Sequence, residues 1–162
     1  MALIALNDAK INQSTSSGHI KTERYIQTGT GGGYCNARDE DGNCTSYAPT
    51  YPIFNWVGGY STSAKIDGTC TASSTQVFIQ GKNPVLKGDK TKESDTYQLG
   101  SSERYASGQH TNVTTGSVTG GNSNNVYVGG KLIAIAGSTI TTHAGTSTTI
   151  GSTGLSSTVY IG

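Results

Sequence analysis

The chain holds three histidines, His19, His110 and His143, and three cysteines, Cys35, Cys44 and Cys70. These side chains can bind a transition metal, and their spacing limits the kind of centre they can build. The cysteines form no Cys-x-x-Cys phrase, so zinc-ribbon and thioredoxin readings fail. No His-Glu-x-x-His phrase occurs either. Three imidazoles brought to one point would form a trigonal set for Zn2+ or a similar borderline metal, with a fourth position open. Catalysis would also need a base beside that open position, inside a pocket. The sequence has no phrase that supplies one, so the expectation is a structural metal and not an enzyme. For the cysteines three outcomes stay open: buried free thiols, a Cys35–Cys44 disulfide, or one cysteine as a fourth metal ligand. The run Asp39-Glu40-Asp41-Gly42-Asn43 opens like a calcium loop, but Thr50 stands where the closing glutamate belongs, which leaves a solvated turn.

A repeating chain would bring histidines this far apart together, and this chain repeats. Val77-Phe78-Ile79-Gln80-Gly81-Lys82 matches Val126-Tyr127-Val128-Gly129-Gly130-Lys131, and Val159-Tyr160-Ile161-Gly162 begins a third copy. Gly88-Asp89 and Gly137-Ser138 follow the first two copies at the same distance, and Asn7-Asp8 reads as the equivalent turn near the start. Each copy has a prelude with one histidine: His19 then Ile26 to Thr30, His110 then Val113 to Ser117, and His143 then Ile150 to Ser152. Three repeats closing around a pseudo-threefold axis would bring equivalent residues to that axis. His19, His110 and His143 are therefore the expected ligands of one transition metal, Zn2+ or Fe2+, per chain. The first repeat is lengthened by about residues 31–71, the second by residues 90–109, and both extensions are expected as surface loops.

The composition agrees with such a scaffold. In 162 residues, 33% are hydrophobic and 13% charged, with 23 glycines, so the core is thin and gains from a staple. Alternation in Val77 to Gln80 and Val126 to Val128 predicts short strands, and Lys131 to Ala136 (KLIAIA) predicts a strand buried on both faces. Ala2 to Leu6 reads as another strand, and no capped helix of useful length is visible. Tyr47, Tyr51, Phe54, Trp56 and Tyr60 crowd the insert, as a satellite core or an exposed contact patch. A net charge of +1 leaves no electrostatic footprint for nucleic acid. The start, MALIALNDAK, lacks the basic region of a signal peptide, so synthesis in the cytoplasm without a secretory leader is expected.

The phrases STQVFIQGKNPVLKGD and NNVYVGGKLIAIAGSTITTH, with the closing STVYIG, resemble PAAR-repeat proteins. The likeness spans nearly the whole chain outside the insert. It implies an all-β fold: a small pseudo-threefold cone of short strands built from three repeats, here with a long loop insert in the first, as a single domain over residues 1–162. It further implies a structural tip for the central spike of a contractile phage tail or injection machine. Such a tip caps a trimeric VgrG-like spike, one tip per trimer, and makes transient contact with the target cell envelope. His19, His110 and His143 fall on ligand-type positions of that family. The sequence departs from the family pattern in having no cysteine soon after Asp89, Ser138 in place of the third aspartate, and all its cysteines within or beside the insert. Two rival readings are a β-rich adhesin or receptor-binding tip and a small metal-dependent hydrolase.

Overall fold

The computed structural model describes residues 1–107, 114–151 and 158–161. His110 lies outside the described residues. Among those described the fold is all-β. In chain order the strands are β1 (Ala2–Leu3), β2 (Ser14–Gly31), β3 (Cys35–Arg38), β4 (Cys44–Tyr47), β5 (Tyr51–Thr71), β6 (Lys90–Thr96) and β7 (Glu103–Ser107). There follow β8 (Ser117–Val118), β9 (Tyr127–Val128), β10 (Lys131–Leu132), β11 (Thr139–Thr141), β12 (Ser147–Thr149) and β13 (Tyr160–Ile161). The chain divides into two compact units, one of residues 1–20, 62–98 and 108–162, the other of residues 21–61 and 99–107.

The first unit is organised by a closed ring of backbone hydrogen bonds. The amide of Ala5 donates to Ala134 O at 3.0 Å, that of Ala134 to Val85 O at 2.8 Å, and that of Val85 to Ala5 O at 2.9 Å. The bridges Ile4–Ile135, Leu6–Pro84 and Leu86–Ile133 flank it. Each arm then turns alike. The amides of Ala9, Asp89 and Ser138 donate to Leu6 O, Leu86 O and Ile135 O, and Asp8, Gly88 and Gly137 take positive φ angles of 69°, 95° and 87°. Only residues that tolerate the left-handed region fit there, which explains the Gly, Gly, Asp choice. The next residue in two arms caps its own turn through its side chain. Asp89 Oδ2 accepts from Leu86 N at 2.9 Å, and Ser138 Oγ from Ile135 N at 2.9 Å.

This geometry shifts two assignments made from the sequence. The turn residue equivalent to Gly88 and Gly137 is Asp8, so Asn7-Asp8 pairs with the preceding dipeptides by one residue. The segments that return to the turns are Cys70, Val118 and Ile150, which accept from the amides of Asp8, Gly88 and Gly137. The sequence matches Ile26 and Val113 to Ile150; Cys70 and Val118 hold the places equivalent to Ile150, and Val113 lies outside the described residues. Surface turns carry little side-chain signature, and the many Gly-Ser and Thr-Gly phrases of this chain allow several alignments.

Three equivalent ribbons stand beside the ring. Ile79 and Lys82 pair across the Gln80-Gly81 turn, and β9 and β10 pair Val128 with Lys131 across Gly129-Gly130. Both turns have two consecutive positive φ residues, the tight hairpin geometry matched to strand twist. The third ribbon has no hairpin: β1 pairs with β13, Ala2 with Ile161 and Leu3 with Tyr160. The first residues of the chain thus supply the return strand that the third copy lacks.

Strand alternation splits the core into two clusters. Ala5, Val85 and Ala134 join Ala9, Ile11, Cys70, Val118, Ile140 and Ile150, whereas Ile4, Leu6, Leu86 and Ile133 join Ile161, Ile79, Val128 and Ile135. KLIAIA therefore buries both faces, as its apolar run predicts. Phe78, Tyr127 and Tyr160 point away from these clusters and stay more than half exposed, at 63%, 53% and 55%. Within this unit the large sheet runs β12-β11-β8-β6-β5-β2.

The insert is not a loop. In the second unit β2 lies between β5 and β7, with Glu23 opposite Arg104 and Arg24 opposite Glu103, and β3 pairs with β4 as a hairpin. The excursion begins after Ile20 and ends before Thr62, since residues 62–71 of β5 belong to the first unit. Ile66 and Cys70 there are fully buried. Cys35 and Cys44 form a disulfide and Cys70 is free. Asp39 closes the β3–β4 turn by accepting from the amides of Asp41 and Asn43, a solvated turn as read. Tyr25 packs on Phe54 and Trp56 at ring separations of 5.5 and 5.3 Å, and Arg104 lies over Trp56. These rings remain partly exposed, a small aromatic cluster with cationic lids.

Candidate metal centre

His19 and His143 reach one point by different routes. His143 sits in the turn between β11 and β12, which Thr142 O and Gly145 N close at 2.9 Å with Gly145 at φ 77°. His19 follows Gly18, at φ 66°, within the long strand β2. The two are not at equivalent places after their turns at Asp8 and Gly137, so the strict threefold phase expected for the histidines does not hold. Their side chains nevertheless bring the Nε2 atoms to 3.2 Å.

Strand β6 supplies what the sequence reading missed. Its burial alternates, with Thr91 and Glu93 buried and the lysines Lys90 and Lys92 exposed. Asp95 continues that inner face and approaches both rings: Oδ2 is 2.9 Å from His19 Nε2 and 3.3 Å from His143 Nε2, and Oδ1 is 3.2 Å from His143 Nε2. Glu93 Oε2 accepts from the His143 amide at 2.8 Å and contacts Nδ1 at 2.7 Å. The other oxygen, Oε1, accepts from the Thr91 hydroxyl at 2.5 Å, and Thr91 Oγ1 in turn accepts from Gly116 N at 2.8 Å. A side chain at Gly116, just before β8, would collide with that carboxylate and with Thr141 O, so the chain is bare there for a reason. Residues 90–109 are expected from the sequence as a surface loop, but Lys90–Thr96 is a strand with one buried face; the signal for it is the period-two spacing of Thr91, Glu93 and Asp95.

The electrostatics are lopsided. The side chains of Glu93 and Asp95 are 0% and 1% exposed, and their ion-pair partners among the described residues are the two histidines. Two buried carboxylates need about two positive charges nearby. Two imidazolium rings here would have their centres 5.1 Å apart, a repulsion of about 3 kcal/mol at an effective dielectric constant of about 20. One divalent cation between the rings and Asp95 balances the same charge without that contact. The donor spacings also suit it. Ligands at about 2.0–2.1 Å from a tetrahedral ion lie about 3.3 Å from each other, and the atoms here are separated by 2.9, 3.2 and 3.3 Å. Asp95 Oδ1 is buried without a hydrogen-bond partner among the described residues, a donor atom left over for a cation. His19, Asp95 and His143 thus fit a metal ion.

No cysteine belongs to this group. Cys35 and Cys44 are bonded to each other, and Cys70 lies in the ring-side cluster, where burial and then the charges of Asp89 and Glu93 push its thiol up to about 12. The option of a cysteine as fourth ligand is not met among the described residues.

No family model, curated protein or solved structure matches this chain.

Proposed function

We propose that this chain is the structural tip of the central spike of a contractile tail or injection machine. It would cap a trimeric VgrG-like spike and sharpen it for entry into a target cell envelope. The observation that carries the reading is the closed ring through Ala5, Val85 and Ala134, with its three equivalent arms. A monomer with internal threefold repetition can meet a homotrimer along one axis, each arm facing one subunit. The exposed aromatics Phe78, Tyr127 and Tyr160 recur on the three ribbons and give each arm a similar apolar contact. The resemblance of the repeated phrases to PAAR-repeat proteins points the same way. The role is mechanical: contraction drives the tip forward, and one Zn2+ or Fe2+ bound by the histidines would staple a unit with little apolar core. The protein would be made in the cytoplasm and act at the tip of the assembled particle.

The test is stoichiometry. Mixed with the trimeric spike of its own particle, the chain should sediment as a complex of one tip per trimer. A complex of three tips per trimer, or none at micromolar concentration, refutes the reading. A receptor-binding tip is the second reading, favoured by Tyr34, Tyr47 and Tyr51, which are 68%, 65% and 59% exposed in the second unit. Binding of the labelled chain to host cells, with no affinity for the trimer, would select it.

A further inference from the structure

We infer that Asp95 is a metal ligand beside His19 and His143, making a face of two imidazoles and one carboxylate for a divalent cation, and that Glu93 is the positioning residue that holds His143 in its ligating tautomer. The inference does not rest on the docking role above.

The assignment of Glu93 follows from hydrogen-bond geometry. A fully buried carboxylate can only accept, so the contact at 2.7 Å places a proton on His143 Nδ1. The lone pair of that ring then resides on Nε2, which faces His19 Nε2 and Asp95. The same Oε2 accepts from the backbone amide of His143, which fixes the ring and its main chain as one body. Thr91 holds the other oxygen, so Glu93 has no freedom to rotate away. A carboxylate behind a ligating imidazole raises its basicity and sets its direction. Glu93 touches no ligand position itself.

The assignment of Asp95 follows from what it lacks. A buried carboxylate held only for structure would find donors for both oxygens, yet Oδ1 has none among the described residues; Oδ2 lies near both imidazole nitrogens and Oδ1 near that of His143. The set of two nitrogens and one oxygen contains no sulfur, which selects a borderline divalent ion such as Zn2+ or Fe2+ over Cu+. His19 is 15% exposed at its side chain while Asp95 and His143 are closed off, so exchange with solvent runs past His19.

The experiment uses the full chain, purified without a histidine tag and loaded with zinc or, for spectroscopy, cobalt(II). X-ray absorption of the unmutated zinc protein should require imidazole scatterers together with a carboxylate oxygen. A shell of imidazoles with no carboxylate, or no stoichiometric zinc at all, overturns the assignment of Asp95. Asp95→Asn, with its circular dichroism unchanged, should stay metal-free at a zinc concentration that saturates the parent; full occupancy with an unaltered cobalt spectrum overturns it likewise. Glu93→Gln should keep the cobalt ligand-field bands of the parent, because the ligands persist, while zinc binds about 10–100-fold more weakly. Parental affinity in that variant overturns the role of Glu93. Should Asp95→Asn fail to fold, the absorption measurement on the unmutated protein decides.

Discussion

Replacing Thr91 by valine tests whether the polar chain behind His143 is built as described. Thr91 is fully buried, and its hydroxyl both donates to Glu93 Oε1 and accepts from Gly116 N. Valine keeps the shape and the β-branch that suits a strand, but it leaves a buried amide and a buried carboxylate oxygen without partners. Each orphan costs about 1–3 kcal/mol, so the two together cost about 2–6 kcal/mol. Serine is the control. It keeps the hydroxyl and loses one methyl, about 1 kcal/mol. For a chain of this length about 3 kcal/mol lowers the melting temperature by roughly 6–12 °C. The assay is thermal and urea unfolding of chelator-treated protein followed by far-ultraviolet circular dichroism, since the single tryptophan, Trp56, belongs to the second unit. A Thr91→Val protein no less stable than Thr91→Ser would refute the network.

Three further outcomes follow. Excising residues 31–71 should unfold the first unit, because the fully buried Ile66 and Cys70 leave with the cut; loss of cooperative melting by circular dichroism checks this. Reducing the Cys35–Cys44 disulfide should weaken the second unit by about 2–3 kcal/mol from loop entropy, seen in Trp56 fluorescence on urea titration, while metal content stays constant. Cys70 should resist alkylation at pH 9 in the folded protein. Its thiol ionises at about 12 when folded against a usual 9.0, so the unfolded form loses its proton first, and stability should fall as pH rises from about 9 to 12; urea midpoints across that range measure it.

Much of the ring-bearing unit was legible in the sequence. The repeat of Val-aromatic-aliphatic before a glycine turn located two ribbons, and KLIAIA announced a segment buried on both faces, of which only Lys131–Leu132 is regular strand. These signals survive because a strand that packs on both sides, or a turn with two left-handed residues, admits few residue types. The prelude of the first arm shows the converse: Ile26 and the true equivalent Cys70 are both apolar positions among polar residues, and nothing local separates them. The insert read as a loop because Gly31 to Gly33 and Gly58-Gly59 break its pattern, while the pairing of β2 with β5 joins residues far apart in the chain.

The sequence by itself determined an all-β chain with three recurring units, and it named His19, His110 and His143 as metal-binding types, of which His110 lies outside the described residues. Only the tertiary structure decided that Ala2 and Leu3 complete the third ribbon, since nothing local links the first residues to Tyr160 and Ile161. Only the tertiary structure joined Asp95 and Glu93 to the histidines. A carboxylate on a strand reads as solvated until its neighbours bury it. Here the groups that meet Glu93 and Asp95 are His143 in the β11–β12 turn and His19 in β2, which strand order brings to β6 and no short stretch of residues announces.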